Sequence, residues 1–296
     1  MAGTCCGAGS PGGEVDDTDG LRTAAWVGHN KAVRLLLAAR ADPERPDLDG
    51  RRALWLASRA GHHEIVRLLA EAGSDLEEPW CGIYAHDDVD EDANCDAREE
   101  EDVEMEDSSS AVAADGKGLT PLAAASARGR SEAVRALLEL RATVNASGSA
   151  AGGVAPLIAA SQGGYSQVLR VLLSAHADVN APSPKDGVSA LAWASSVGAI
   201  VAVEMLLEAR ASANAVDLEG CSALHWAAAE GHGRVVRLLL ASSATPDLVD
   251  KQGHTPLSLA EVSAVDAENA EGGPSSHEDV LQALTEVPAC HRDVAE

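Results

Sequence analysis

A leucine set in a short run of small residues recurs along this chain with a fixed period. It stands at Leu21, Leu54, Leu122, Leu157, Leu191, Leu224 and Leu257, at steps of 33, 68, 35, 34, 33 and 33 residues. The clearest copy runs from Asp217 to Asp247. It reads Ser222-Ala223-Leu224-His225-Trp226-Ala227-Ala228, then Gly231-His232, then Val235-Val236-Arg237-Leu238-Leu239-Leu240. Both apolar runs carry helical spacing, Gly231 separates them, and an Asp/Gly turn precedes them. The first run is small and Ala-rich; the second is bulky and Leu-rich. Each copy therefore predicts two antiparallel helices joined by a tight turn. One such unit cannot bury its own apolar face, so it requires copies of itself on either side.

The internal punctuation repeats as well. Thr120-Pro121-Leu122, Ala155-Pro156-Leu157, Ala223-Leu224-His225 and Thr255-Pro256-Leu257 open first helices, and Gly28-His29, Gly61-His62 and Gly231-His232 form the turns. Ala177-Asp178-Val179-Asn180-Ala181 and Val144-Asn145-Ala146 close their copies. With a period near 33 residues, this pattern resembles the ankyrin repeat. The resemblance covers most of the chain, in six recognisable copies and an interrupted seventh. It implies an all-α solenoid of about seven helix-turn-helix repeats with β-hairpin-like loops. About function it says little, because this fold hosts unrelated partners.

Charge and composition narrow the partners. The 296 residues carry a net charge of −25, which argues against DNA, RNA or an anionic membrane, all of which call for clustered Lys and Arg. No apolar run approaches a membrane span and no signal-peptide pattern opens the chain. Cysteines at 5, 6, 81, 95, 221 and 290 follow neither a disulfide framework nor a metal-ligand spacing. The expectation is an intracellular protein, cytoplasmic or nuclear, monomeric, without cofactor. The absence of Phe suits thin helices that stack closely.

Along the chain, residues 1–18 read as a disordered tail and 19–77 as repeats one and two. Residues 116–248 hold repeats three to six, 249–288 an interrupted capping repeat whose second helix starts near Ser276, and 289–296 a tail. Residues 78–115 break the period. They hold fifteen Asp and Glu against one Arg, lack a Leu-rich second helix and a Gly-His turn, and read as a disordered acidic insertion. The glycine expected after each second helix survives only at Gly73. Arg40, Arg141, His176, Arg210 and Ser243 take the equivalent places, where a left-handed backbone is expected.

Several constellations admit two readings. Asp88, Asp90, Asp92, Asp96 and Glu99 fall at positions 1, 3, 5, 9 and 12 of a calcium loop. Ala93 replaces the required glycine, so diffuse cation attraction competes with a specific site. Arg34, Arg67, Arg135, Arg170 and Arg237 share one second-helix position, either as solvated side chains or as a basic ladder onto which the acidic insertion folds back. Trp193 and Trp226 read as packing between repeats, and Trp26 as an exposed anchor. The turn histidines and His225 read as bonds between loops. No catalytic set or phosphate loop is apparent.

The resemblance implies a scaffold or adaptor that binds a protein partner through its concave face. The alternatives are a non-catalytic regulatory or targeting subunit of an enzyme assembly, and a cation-responsive protein acting through the insertion. By family position the binding residues are the hairpin tips Asp49, Lys185, Asp186, Leu218, Glu219, Lys251 and Gln252. The first-helix ends add Trp26, Arg59, Arg128, Gln162, Val197 and Glu230.

Overall fold

The computed structural model describes residues 17–80, 117–148, 153–271 and 277–286. Within them it is all helical. The helices pair as α1 (Asp17–Val27) with α2 (Asn30–Ala38), α3 (Ala53–Ala60) with α4 (His63–Glu71), α5 (Pro121–Ala127) with α6 (Ser131–Glu139) and α7 (Pro156–Gln162) with α8 (Ser166–Ser174). The series continues with α9 (Ala190–Ser196) and α10 (Ile200–Glu208), α11 (Ala223–Ala229) and α12 (Gly233–Ala241), and α13 (Pro256–Glu271) and α14 (Glu278–Thr285). The loops before first helices form turns with one isolated bridge, Val216 to Ser222, and no strand among the described residues.

Two layers result. Each first helix packs on the next first helix, and each second helix on the next second helix. Ala53, Leu54, Trp55, Leu56, Ala57 and Ser58 of α3 are all buried, whereas α4 buries only Ile65, Val66 and Leu69 and turns Arg67 to solvent. Small side chains let the first helices approach more closely than the Leu-rich second helices do. A stack spaced more tightly on one side curves toward that side, so the first helices and the hairpin tips form its inner face. One continuous apolar core runs from Leu21 to Leu284.

Loops tie each repeat to the next. The backbone N–H of Asp178, Ser212 and Thr245 donates to the side-chain oxygen of Asn145, Asn180 and Asn214, at 2.9, 2.9 and 2.8 Å. Glu44 and Glu77 take the asparagine's place near the N-terminus, accepting from the N–H of Asp75 (3.1 Å) and Thr143 (2.6 Å). A second series runs through the helix–helix turns. His62, Arg130, His232 and His277 each reach back to a carbonyl at the end of the preceding first helix: Trp26, Arg59, Ser196 and Ala229. The ring of His62 lies where a Cβ on Gly28 would stand, 2.5 Å away. Gly28 thus answers two demands at once, a φ of +93° and a seat for the next repeat's histidine.

Among the described residues, the non-glycine residues with positive φ are Arg40, Arg141, His176, Arg210 and Ser243, between 61° and 69°. They are the positions expected from the missing cap glycines. The N–H of Arg210 donates to Leu207 O and that of Ala211 to Leu206 O, both at 2.9 Å. This crossed pair ends the helix on a left-handed residue.

Three details depart from the sequence reading. The first helix of the last repeat does not stop after Ala260 but continues to Glu271. Its residues 261–271 contain no Gly or Pro, and helix propensity carries it on until Gly272. The N-cap of α14 is His277 and not Ser276, because the imidazole makes the turn bond to Ala229 that other repeats make there. Finally, Glu78, Pro79 and Trp80, placed in the insertion by the loss of period, are described residues that join the solenoid. Glu78 pairs with Arg52 at 2.8 Å. The calcium-like positions Asp88 to Glu99 and most of the acidic insertion lie outside the described residues. Their flanks nonetheless meet directly: α3 packs on α5 and α4 on α6, so no helix pair stands between repeats two and three.

Two outcomes follow from this packing. Leu206 is fully buried and Arg170 exposed. Leu206→Ala should cost about 2–5 kcal/mol in urea unfolding and Arg170→Ala less than about 0.5 kcal/mol; equal losses would contradict the helical phase. A left-handed non-glycine residue costs about 1–2 kcal/mol, and glycine's extra unfolded-state entropy offsets about half of that. Arg210→Gly should therefore raise stability by up to about 1 kcal/mol, and a lowered urea midpoint would show that the cation at the helix end outweighs backbone strain.

Candidate partner-binding surface

The inner face is built from two kinds of element. Hairpin tips are set by aspartates that accept from the backbone two and four residues ahead. Asp217 Oδ1 takes the N–H of Glu219 (2.9 Å) and Cys221 (2.8 Å), and Asp250 Oδ1 takes those of Gln252 (2.9 Å) and His254 (2.7 Å). Tips are then linked to each other, Leu218 N–H to Asp186 O at 3.0 Å and Lys251 N–H to Glu219 O at 2.9 Å. First helices are fixed at their starts by Thr120, Ser189 and Ser222, the last in a reciprocal pair with His225. His225 accepts from Ser222 N–H through Nδ1 (3.1 Å), which leaves the proton on Nε2 to donate to His254 O (3.3 Å). Burial lowers its pKa against the pull of that carbonyl, keeping the ring neutral in its structural role.

Of the positions expected to bind, Trp26, Asp49, Arg128, Lys185, Val197, Leu218, Glu219, Glu230, Lys251 and Gln252 are exposed along this face. Arg59, Gln162 and Asp186 are half-buried. Asp186 spends its carboxylate on the N–H of Val188 (3.1 Å), and the Gln162 side-chain oxygen is enclosed without a hydrogen bond. Trp193 and Trp226 stack with ring centroids 6.2 Å apart and pack on the core. The Trp226 indole donates to Asp217 at 3.1 Å, whereas the Trp193 indole has no acceptor, because one period before Asp217 stands Pro184. Cys221 is a poor nucleophile: burial, then the charges of Asp217, Asp250 and Glu219, push its thiol up to about 11.

The N-terminal end of the face holds residues that sequence reasoning passed over. A cleft of about 500 Å³ lies between Arg22, Trp26, Arg51, Trp55, Arg59 and Trp80. A neighbouring hollow of about 360 Å³ shares Trp26 and Arg59 and adds Arg128 and Arg130. Trp80 makes the far wall. Its N–H donates to Leu119 O (3.2 Å), its carbonyl accepts from Gly118 N–H (2.5 Å), and its indole donates to Asp49 O (2.5 Å). Its ring meets Trp55 at 5.0 Å and the Arg51 guanidinium at 5.8 Å, while Arg59 lies over Trp55 at 5.3 Å. Trp55 is buried and donates to the same Leu119 carbonyl at 3.0 Å. With Leu56, Leu119, Ala123 and Ala124 it forms an apolar cluster distinct from the main core. The available signal was a lone Pro79-Trp80 immediately before the acid run.

The arginine ladder lies elsewhere, on the exposed side of the second helices. Arg67 pairs with Glu139 (2.7 Å), Arg135 with Glu132 (3.8 Å) and Arg237 with Asp279 (3.5 Å). The acidic segment does not leave from beside it. Trp80 and Gly118 hold both ends of that segment at the hairpin side, against the cleft.

No helix among the described residues is long and apolar enough to cross a membrane, and they contain no cluster of three or more His, Cys, Asp or Glu suited to a metal ion. The sequence model described as "Ankyrin repeats (3 copies)" matches residues 11–80, 97–183 and 191–269. Among solved structures, the human ASB11 ankyrin repeat domain aligns with a TM-score of 0.66 at 22% identity, covering 90% of this chain and 96% of that one. The ankyrin repeat domain of Bcl-3, described as a unique member of the IkappaB protein family, aligns with a TM-score of 0.62 at 23% identity, covering 90% and 97%. No curated protein sequence matches the chain. At these identities the structural likeness establishes the fold.

Removing the Trp80 side chain tests how the second and third repeats are joined. Trp80→Ala loses an indole hydrogen bond and an aromatic contact and should lower stability in urea by about 1–3 kcal/mol. An unchanged urea midpoint would mean the indole merely rests on the surface.

Proposed function

The chain belongs to the ankyrin-repeat family, and from that premise we propose that it is a non-catalytic interaction scaffold or adaptor that binds a protein partner along its inner face. Ankyrin repeats generally mediate protein–protein interaction. The observation that carries the proposal is the arrangement of that face. Exposed large side chains at Trp26 (48%), Val197 (44%) and Leu218 (57%) stand on first-helix ends and tips whose backbones are hydrogen-bonded from repeat to repeat. A surface held in this way loses little conformational freedom on binding. Large apolar side chains framed by charged ones are the usual anchors of an interface.

The face has two characters. Its N-terminal third is arginine and tryptophan; its C-terminal part combines Val197 and Leu218 with Asp217, Glu219 and Glu230. A partner that lies along it meets cations at one end and an acid-rimmed apolar strip at the other.

Comparative capture from cell extract tests the proposal. Proteins retained by the full chain should also be retained by Arg170→Ala, which alters the outer side, and lost with Val197→Asp combined with Leu218→Asp. If the inner-face variant and the native chain retain the same proteins, the inner face is not the binding surface.

A further inference from the structure

We infer that the C-terminal end of the inner face, where α9, α11 and α13 stand side by side, receives an extended segment of a partner protein that carries Lys or Arg around an aliphatic side chain. This rests on the reading of the inner face as a binding surface and names the chemistry of what occupies one end of it.

Shape and apolar surface come first. Trp193 of α9 and Trp226 of α11 stack on each other, half-buried, and form a floor. The bond from the Trp226 indole to Asp217 sets that floor against the hairpin tips. Val197 stands exposed at the end of α9, and Leu218 stands exposed on the tip that precedes α11. Leu218 is also held in place. Its Cγ lies 3.1 Å from where a Cβ on Gly187 would stand, so it leans on the preceding tip. Val216 and Val249, which lead into the hairpins before α11 and α13, are exposed as well. Exposed aliphatic side chains over a hydrogen-bonded backbone suit the apolar centre of an interface. Packed helices stand about 8–10 Å apart, a distance that an extended chain covers in about three residues. A short segment therefore reaches all three repeats.

Charge names the occupant. Five carboxylates, those of Asp186, Asp217, Glu219, Glu230 and Asp250, stand around this surface against Lys185 and Lys251. The helices α9 and α11 add no Lys or Arg. Glu219 and Glu230 are both exposed. Glu219 accepts from the neutral amide of Gln252 at 3.4 Å, and among the described residues neither Glu219 nor Glu230 pairs with a cation. The field is felt locally: burial, then the charges of Asp217, Asp250 and Glu219, push the Cys221 thiol up to about 11. Uncompensated acids of this kind attract Lys and Arg on an occupant and repel acids. A second copy of this chain, with its net charge of −25, is repelled, and so are nucleic acid and anionic lipid. The stems of Lys and Arg suit the site too, because they lie along apolar surface while their heads reach carboxylates.

The test selects ligands for the full chain from a random peptide library displayed on phage and measures the enriched peptides by fluorescence anisotropy. They should be richer in Lys and Arg than the starting library, with Leu, Ile or Val between the cations. Glu219→Lys combined with Glu230→Lys should weaken their binding by about tenfold or more. Val197→Ser combined with Leu218→Ser should weaken it by about tenfold. Glu204→Lys combined with Glu208→Lys changes the net charge equally on the exposed side of α10, and at physiological salt it should change binding less than about twofold. Circular dichroism confirms that each variant is folded. A selection that enriches no basic sequence overturns the inference. So do basic peptides whose binding survives the reversal at Glu219 and Glu230, or is lost equally with the reversal on α10. Capture from extract separates this inference from the reading it rests on. Proteins lost with the Val197 and Leu218 variant yet retained by the Glu219 and Glu230 reversal leave the inner face as a binding surface and overturn the inference. Proteins that ignore Val197 and Leu218 overturn the binding surface itself.

Discussion

Burial between neighbouring repeats is the interaction on which the rest of this molecule depends. A helix pair such as α11 and α12 has apolar side chains on both of its broad sides and closes no core of its own. Leu224, Val236 and Leu239 become buried only because α9 and α10 lie on one side and α13 and α14 on the other. Stability is consequently passed along the stack from neighbour to neighbour. The contact that must not be lost is the one between consecutive pairs, and that contact is preserved across the acidic segment. A long excursion is tolerable there because closure entropy grows only with the logarithm of loop length. The chain leaves at Trp80 and returns at Gly118, so the packing of α3 on α5 does not register what lies between.

The same neighbour rule explains which polar residues recur. Five loops offer a Glu or Asn oxygen to the next loop's backbone, and four turns receive a His or Arg on a carbonyl of the preceding first helix. These bonds settle backbone groups that would otherwise be left unpaired. They also hold the inner face in one shape before any partner arrives. Left-handed residues at five of the second-helix ends are tolerated within this frame because the crossed hydrogen bonds at each helix end fix the backbone regardless of the side chain.

Charge is partitioned along the chain and across the fold. The acidic excess is concentrated in one segment, while arginines gather on the inner face of the first three repeats and, separately, along the outer side of the second helices. Of the outer arginines, Arg67, Arg135 and Arg237 meet acids of their own or neighbouring repeats. The inner ones frame tryptophans. The inner group combines cations, aromatic walls and a hollow.

What the sequence determined by itself is what local pattern encodes. The leucine period, the Gly-His turns and the Ala-rich first helices dictate paired helices and their stacking. The missing cap glycines alone identified Arg40, Arg141, His176, Arg210 and Ser243 as left-handed, since a helix end needs that backbone whatever residue occupies it. The exposed positions of Trp26, Val197 and Leu218 were also legible, because the repeat assigns each position a direction. What only the tertiary structure decided depends on contacts between residues far apart in the chain. The Leu119 carbonyl that accepts from both Trp55 and Trp80 joins residues 64 and 39 positions away, across a segment that has no period to read. Trp80 therefore looked like the edge of an insertion when it is the wall of a cleft. Nothing in the sequence singled out Arg51 and Arg130 either, because sequence spacing carries no information about which repeat faces meet across a gap in the period.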